Sequence, residues 1–166
     1  MIYEFCAENV TLLEKAMQAG ACRIELCDNL AVGGTTPSYG VTKAAVELAA
    51  NYDTTIMTMI RPRGGDFVYD DLEIAIMLED IRLTAQAGSQ GVVFGALTAD
   101  KKLDKSNLEK LIAASKGMEI VFHMAFDELS EEDQLEAIDW LSQAGVTRIL
   151  TRAGVSGDSL EKRFEH

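Results

Sequence analysis

The protein has 166 residues, of which 48% are hydrophobic and 25% are charged, as is usual for one globular domain with a sizeable core. The formal net charge of −12, without a local basic patch, argues against a nucleic-acid partner, and no apolar run reaches the roughly 18 residues of a membrane span. The first five residues lack the basic stretch of a signal peptide, and three cysteines do not suggest a disulfide framework. We therefore expect a cytoplasmic protein.

Short apolar stretches alternate with helical patterns along the chain. The candidate strands are residues 2–6, 23–27, 54–61, 91–95, 120–123 and 148–151. Between them, apolar residues recur at helical spacing, as at Ile74, Met77 and Ile81. Asn9, Ser106 and Ser130 precede the first, fourth and fifth predicted helices, and we predict them as N-caps. The alternation is typical of an α/β protein with a parallel sheet.

An internal repeat supports this interpretation. Gln18-Ala19-Gly20, Gln86-Ala87-Gly88 and Gln143-Ala144-Gly145 each end a predicted helix shortly before a strand. Neither a dinucleotide-binding glycine motif nor a P-loop is present, so we predict a TIM (β/α) barrel. About six of the eight βα units are recognisable, and residues 160–166 look like the start of another helix. We therefore expect residues 1–166 to form a single domain that is incomplete at its carboxyl-terminal end.

The first two strands end in matching segments that combine a carboxylate with a thiol. They read Glu4-Phe5-Cys6 and Glu25-Leu26-Cys27. The two-residue period of a strand puts the carboxylate and the thiol of each segment on one face, and adjacent parallel strands would bring both pairs together. A carboxylate inside a barrel is costly unless it is paired, so we predict Glu4 and Glu25 as pocket residues. Cys6 and Cys27 are either metal ligands or small core residues.

The third strand leads into a segment suited to anion binding, Arg61-Pro62-Arg63-Gly64-Gly65. Arginine holds carboxylate or phosphate with two hydrogen bonds, and glycine lets the backbone approach a ligand. We predict Arg61, Arg63, Gly64 and Gly65 as anion-binding residues. Arg63 is the better candidate, because we expect Arg61 partly to neutralise Glu4 or Glu25.

The fifth strand ends at His123, which is followed by Asp127. A histidine at the carboxyl end of a barrel strand is a candidate for acid–base chemistry. Asp127 would either orient His123 or act separately. Met57 and Met59 carry soft sulfur atoms, but methionine more often fills gaps in a core, and we predict that role for both.

Several segments together resemble the CutC copper homeostasis family from residue 1 to about residue 151. They are Glu4-x-Cys6, Arg23-Ile24-Glu25-Leu26-Cys27, Gly33-Gly34-x-Thr36-Pro37-Ser38-x-Gly40, Met59-Ile60-Arg61-Pro62-Arg63-Gly64-Gly65-Asp66-Phe67, Gly91-Val92-Val93-Phe94-Gly95-Ala96-Leu97 and Phe122-His123-x-Ala125-Phe126-Asp127. The resemblance implies a cytoplasmic (β/α) barrel that forms a homo-oligomer, either a dimer or a tetramer. It also implies Cu(I) binding by Cys6 and Cys27.

The chain departs from the family after the sixth strand. The family usually reads Leu-Thr-Ser-Gly-Gly there, whereas this chain reads Leu150-Thr151-Arg152-Ala153-Gly154. The change alters a loop that would otherwise be expected to bind an anion.

Two functions follow from these residues. The first is a protein of copper homeostasis that binds Cu(I) through thiols at the carboxyl ends of strands one and two. The alternative is a TIM-barrel enzyme acting on a small phosphate- or carboxylate-bearing metabolite. In that case Arg61 and Arg63 would clamp the anion, with Glu25 and His123 as base and acid. The sequence leaves open whether the protein is an enzyme.

Overall fold

The structure is a computed structural model that describes residues 2–152. Within these residues, six parallel strands form one sheet in sequence order. The strands are β1 (Glu4–Glu8), β2 (Arg23–Cys27), β3 (Thr55–Met59), β4 (Gly91–Phe94), β5 (Glu119–Phe122) and β6 (Arg148–Ile149). The helices are α1 (Leu13–Gln18), α2 (Tyr39–Ala49), α3 (Asp71–Ala87), α4 (Lys105–Ala114) and α5 (Glu131–Gln143). The sheet curls as part of a TIM barrel, which confirms the predicted fold class. The predicted helix within residues 160–166 lies outside the described residues.

The sheet buries both of its faces, as a barrel wall does. On β4, Val92 and Phe94 pack in the layer between the sheet and the helices, whereas Val93 faces the inside of the curl. Met57 and Met59 lie beside Val93 and are fully buried, which confirms their predicted core role. Within residues 2–152, no helix combines the length and the apolar character that crossing a bilayer would require.

The helix ends test the local signals. Ser130 caps α5, since its Oγ accepts a hydrogen bond from the Asp133 amide at 3.2 Å. The predicted cap at Ser106 is wrong, because α4 begins at Lys105. Asp104, two residues before Ser106, accepts the Asn107 amide at 3.1 Å instead. A carboxylate at the N-cap accepts a free amide of the first turn as a serine would, and its negative charge also suits the helix dipole.

The glycines of the repeat adopt the conformation that the sequence predicts. Gly20, Gly88 and Gly145 have φ values of 95°, 91° and 92°. These left-handed conformations end α1, α3 and α5 and turn the chain back toward the next strand.

The cap of α5 leads to a first prediction. Ser130→Ala is expected to lower the free energy of unfolding by about 1 kcal/mol, because it removes the acceptor for a first-turn amide. Urea denaturation measures the loss. Ser106→Ala is the matched control, since Ser106 is exposed and caps no helix, and it should change the free energy by less than about 0.5 kcal/mol. Equal losses in the two variants would contradict the prediction that the loss at Ser130 comes from capping.

Candidate functional site

Three groups that can bind a metal meet across β1 and β2, and we call them the thiol cluster: Cys6, Glu25 and Cys27. Their ligand atoms all lie within 4.8 Å of one another. The two sulfur atoms are 4.0 Å apart, and Glu25 Oε1 is 3.5 Å from the Cys6 sulfur and 3.7 Å from the Cys27 sulfur. Cys6 is exposed, whereas Glu25 and Cys27 are buried. The cluster therefore has one thiol at the surface and one inside.

The strand register explains why these three residues meet and why Glu4 does not join them. Cys6 pairs with Glu25, and Cys27 is two residues farther along β2 on the same face. The two Glu-x-Cys segments are thus out of register by two residues. Glu4 lies at the opposite end of the strand beside Arg23, with which it forms a salt bridge of 3.2 Å. The expectation that Glu4 reaches the pocket is wrong, because neighbouring barrel strands are staggered.

The loops after β1 and β2 close over Cys27. The Asn9 amide donates to the Cys27 carbonyl at 2.8 Å, and the Asn9 side chain donates to Asp28 at 3.0 Å. The prediction that Asn9 caps α1 is therefore wrong. Asn9 instead connects the two loops by hydrogen bonds. Gly34 packs on the thiol from the other side, since a Cβ there would lie 3.0 Å from the Cys27 sulfur. This close packing leaves no room for a side chain at residue 34. The left-handed backbone conformation of Gly34, with a φ of 90°, also favours glycine.

Burial sets the protonation of the cluster. Burial raises the pKa of the Glu25 carboxyl, and the hydrogen bond from Cys6 offsets this only in part. The hydrogen bond with Cys6, together with burial and the Glu25 charge, raises the pKa of the Cys27 thiol. Cys27 is therefore a neutral thiol in the metal-free protein, and a metal ion must displace its proton.

Arg61 follows β3 and lies buried against backbone carbonyls. Its Nη1 donates to the carbonyls of Val32 and Gly34 at 2.8 and 3.0 Å, and its Nη2 donates to that of Gly65 at 2.7 Å. The guanidinium also stacks on the Phe67 ring at 4.8 Å from the ring centre. These contacts fix Arg61 between the loops that follow β2 and β3.

The expected neutralisation of Glu4 or Glu25 by Arg61 is wrong. Among residues 2–152, no carboxylate oxygen lies within 4.0 Å of an Arg61 nitrogen, so Arg61 forms no salt bridge there. Glu4 is held by Arg23, and Glu25 accepts hydrogen bonds from the two thiols. Within this part of the chain, the direct contacts of the Arg61 guanidinium are therefore with neutral carbonyl oxygens and an aromatic ring.

Arg63 points away from Arg61 toward α3. Its Nε and Nη2 donate to the Glu73 carboxylate, and its Nη1 lies 3.0 Å from Asp66. The hydrogen bond with Glu73 raises the pKa of Arg63. Both carboxylates already occupy the fork that we expected to hold an anion. Arg63 is therefore a weaker anion candidate than Arg61, contrary to the expected ranking.

The two glycines after Arg63 shape the loop. A Cβ at Gly64 would lie 2.8 Å from the Val32 Cβ, so glycine permits this close packing. Gly65 has a φ of 88° and directs its carbonyl at Arg61. Their direct contact with an anion stays a prediction.

His123 and Asp127 do not form the expected pair. His123 is fully buried, its Nδ1 accepts the Ala125 amide at 3.2 Å, and burial lowers its pKa to about 3. Asp127 instead accepts hydrogen bonds from the Thr151 hydroxyl and, at 2.9 Å, from the Arg152 amide. Of the two roles predicted for Asp127, orienting His123 is wrong, because the Asp127 carboxylate binds the loop after β6, and acting separately stays a prediction. The catalytic roles of His123 and Asp127 stay predictions.

A cavity of about 170 Å³ opens beside Arg61 at the carboxyl ends of the strands. Gly33, Gly65 and Phe67 line it together with Asp127 and Arg152, whereas Arg63 does not. Arg152 was not among the predicted site residues. Its signal in the sequence was its place just after the sixth strand, where the chain departs from the Leu-Thr-Ser-Gly-Gly pattern.

Comparisons with known proteins identify the family of this chain. The sequence profile of the CutC family matches residues 1–163. The chain belongs to the CutC family. It is 53% identical to a CutC family protein from Enterococcus faecalis over 166 residues, which is all of this chain and 79% of that relative.

Solved structures show the same relationship. A CutC structure from Streptococcus agalactiae, which is named for copper homeostasis, superposes with a TM-score of 0.95 at 46% identity. The match covers 100% of this chain and 79% of that CutC protein. An archaeal fructose 1,6-bisphosphate aldolase superposes with a TM-score of 0.60 at 16% identity, over 83% of this chain and 52% of the aldolase. The second likeness reflects the barrel fold alone.

Proposed function

We propose that the protein binds Cu(I) through Cys6 and Cys27 and serves copper homeostasis in the cytoplasm. The observation that supports this proposal is the separation of 4.0 Å between the two sulfur atoms. A metal–thiolate bond is about 2.3 Å long, so one ion can reach both sulfur atoms with little movement of either strand. Thiolates are the soft ligands that Cu(I) prefers.

The surroundings of the two thiols suit metal capture. Cys6 is exposed and can meet an incoming ion, whereas Cys27 is buried beside Met59. Glu25 accepts hydrogen bonds from both thiols, so it is placed to take up a proton when either becomes a thiolate. A purely structural pair of core cysteines would need no buried carboxylate between them.

An anaerobic competition titration with a chromogenic Cu(I) chelator tests the proposal. The wild-type protein should bind one Cu(I) per chain, and the Cys6→Ser, Cys27→Ser double variant should lose more than about 100-fold in affinity. That loss should exceed the 10- to 100-fold typical of residues that only support a metal ligand. Cys22→Ser is the matched control, because the Cys22 sulfur contacts the Tyr3 carbonyl at the other end of the strands.

The raised pKa of Cys27 adds a second readout. Binding should release protons into a weakly buffered solution, and the affinity for Cu(I) should rise with pH because Cys27 must lose its proton. Equal copper uptake by the wild type and the double cysteine variant would overturn the proposal, whereas a loss in Cys22→Ser would place the site elsewhere.

The predicted enzyme acting on a small anionic metabolite is a second proposal, favoured by the cavity beside Arg61. Its acid–base pair has less support than copper binding. Both thiols donate hydrogen bonds to Glu25. His123 is neutral, and its buried Nε2 has no hydrogen-bond partner among the described residues 2–152. A homo-oligomer, dimer or tetramer, remains part of the proposal from the family resemblance.

A further inference from the structure

We infer that the cavity beside Arg61 binds a small oxyanion, either a phosphate group or a short carboxylate, between Arg61 and Arg152. This inference rests on the second proposed function, an anionic metabolite beside Arg61, and names the group that binds and the residues that hold it. It is independent of copper binding and uses none of the residues of the thiol cluster. It depends on the charge of Arg61, the position of Arg152 and the size of the cavity.

Arg61 carries a buried positive charge that forms no salt bridge within 4.0 Å in the described part of the chain, although, after the larger effect of Arg63, it contributes from a greater distance to the lowered pKa of Asp66. The residue is only 3% exposed, and the three hydrogen bonds that its side chain donates within residues 2–152 all go to neutral carbonyls. A guanidinium has five N–H donors, so donor capacity remains, and Nε has no partner among residues 2–152. Buried charges in proteins are normally paired, so a bound anion would complete this site.

A second guanidinium approaches the same point. A Cβ at Gly33 would lie 3.4 Å from Arg61 Nη1 and 3.9 Å from Arg152 Nη2, so the two guanidinium groups flank this glycine. Gly33 has a φ of 89° and leaves the space between them without a side chain. Two guanidinium groups that border one cavity form a clamp for an oxyanion.

The acidic residues on the cavity wall have donors of their own. Asp127 accepts hydrogen bonds from the Thr151 hydroxyl and the Arg152 amide, and it thereby anchors the loop that carries Arg152. Glu128 forms a salt bridge of 3.0 Å with Lys101. Neither of these carboxylates forms a salt bridge with Arg61 within the described residues.

The size and position of the cavity define the ligand class. The cavity lies at the carboxyl ends of the strands, where barrel proteins bind their ligands. Its volume of about 170 Å³ is below the range of roughly 300–1,000 Å³ for drug-sized ligands. It therefore suits the phosphate or carboxylate group of a small metabolite.

Titrations of inorganic phosphate and of acetate, each at constant ionic strength with chloride as the reference, test the inference by NMR chemical-shift changes. We expect saturable binding of at least one anion, and their ratio of affinities distinguishes phosphate from carboxylate recognition. Arg152→Gln and Arg61→Lys should each raise the Kd at least about 10-fold, because each removes one half of the clamp. Arg63→Gln is the matched control and should change the Kd less than about 2-fold.

Three outcomes would overturn the inference. These are the absence of a saturable response to either anion, an equal loss of binding in Arg63→Gln, and unchanged binding in Arg152→Gln. The last of these decides the matter even if Arg61→Lys fails to fold, since Arg152 is exposed and its replacement leaves the core intact. The Cys6→Ser, Cys27→Ser double variant should bind the anion as the wild type does, which separates this site from the copper proposal.

Discussion

Replacing Arg61 with methionine is expected to lower the free energy of unfolding by about 3 kcal/mol. The variant leaves the carbonyls of Val32, Gly34 and Gly65 without donors, and each unsatisfied buried acceptor costs about 1–3 kcal/mol. Removal of a buried charge also relieves its desolvation, which offsets part of the loss, so we expect the lower end of the sum. The loops after β2 and β3 should loosen together.

Urea denaturation of Arg61→Met and Arg63→Met measures this effect in a matched pair. The Arg63 side chain is 39% exposed and forms surface ion pairs with Asp66 and Glu73, so its loss should cost only about 1 kcal/mol. A smaller loss in Arg61→Met than in Arg63→Met would contradict the structural role of the buried guanidinium.

Replacing Glu25 with glutamine is expected to stabilise the metal-free protein at neutral and alkaline pH. Burial raises the pKa of Glu25 above its ordinary value of 4.5, so the folded state binds the proton more tightly than the unfolded state. The wild type therefore loses stability as the pH rises from that value through the folded pKa. The loss is about 1.4 kcal/mol for each unit by which the pKa is raised, and glutamine avoids it while still accepting hydrogen bonds from the thiols.

Thermal or urea unfolding from about pH 4 to about pH 8 checks the sign of this effect. The two proteins should be equally stable at the acid end and should diverge as the pH rises, with Glu25→Gln the more stable. Glu4→Gln is the control, because it removes only a partly exposed salt bridge with Arg23 and should cost at most about 1 kcal/mol. A wild type that is more stable than Glu25→Gln at alkaline pH would show that the ionised carboxylate is stabilising in the fold.

Local patterns in the chain were enough to predict the βα units and the inner pair of the thiol cluster. The helix-ending glycines and the short apolar strands predicted the barrel, because turn conformation and burial depend on neighbouring residues. The shared face of Glu25 and Cys27 is also a local property, because side chains two residues apart on a strand point to the same side. The Ser130 cap is likewise visible in four consecutive residues.

The tertiary structure decided which strands and loops meet. The stagger between β1 and β2 places Cys6 beside Glu25 and Glu4 beside Arg23. The residue pattern within one strand does not specify how that strand is aligned with its neighbour. Arg61 and Arg63 are two residues apart in sequence. Packing of the loops after β2 and β3 nevertheless buries Arg61, whereas Arg63 stays near the surface and pairs with Glu73 of α3. Asp127 joined the loop after β6 rather than His123, because long-range packing selects hydrogen-bond partners that sequence distance does not reveal.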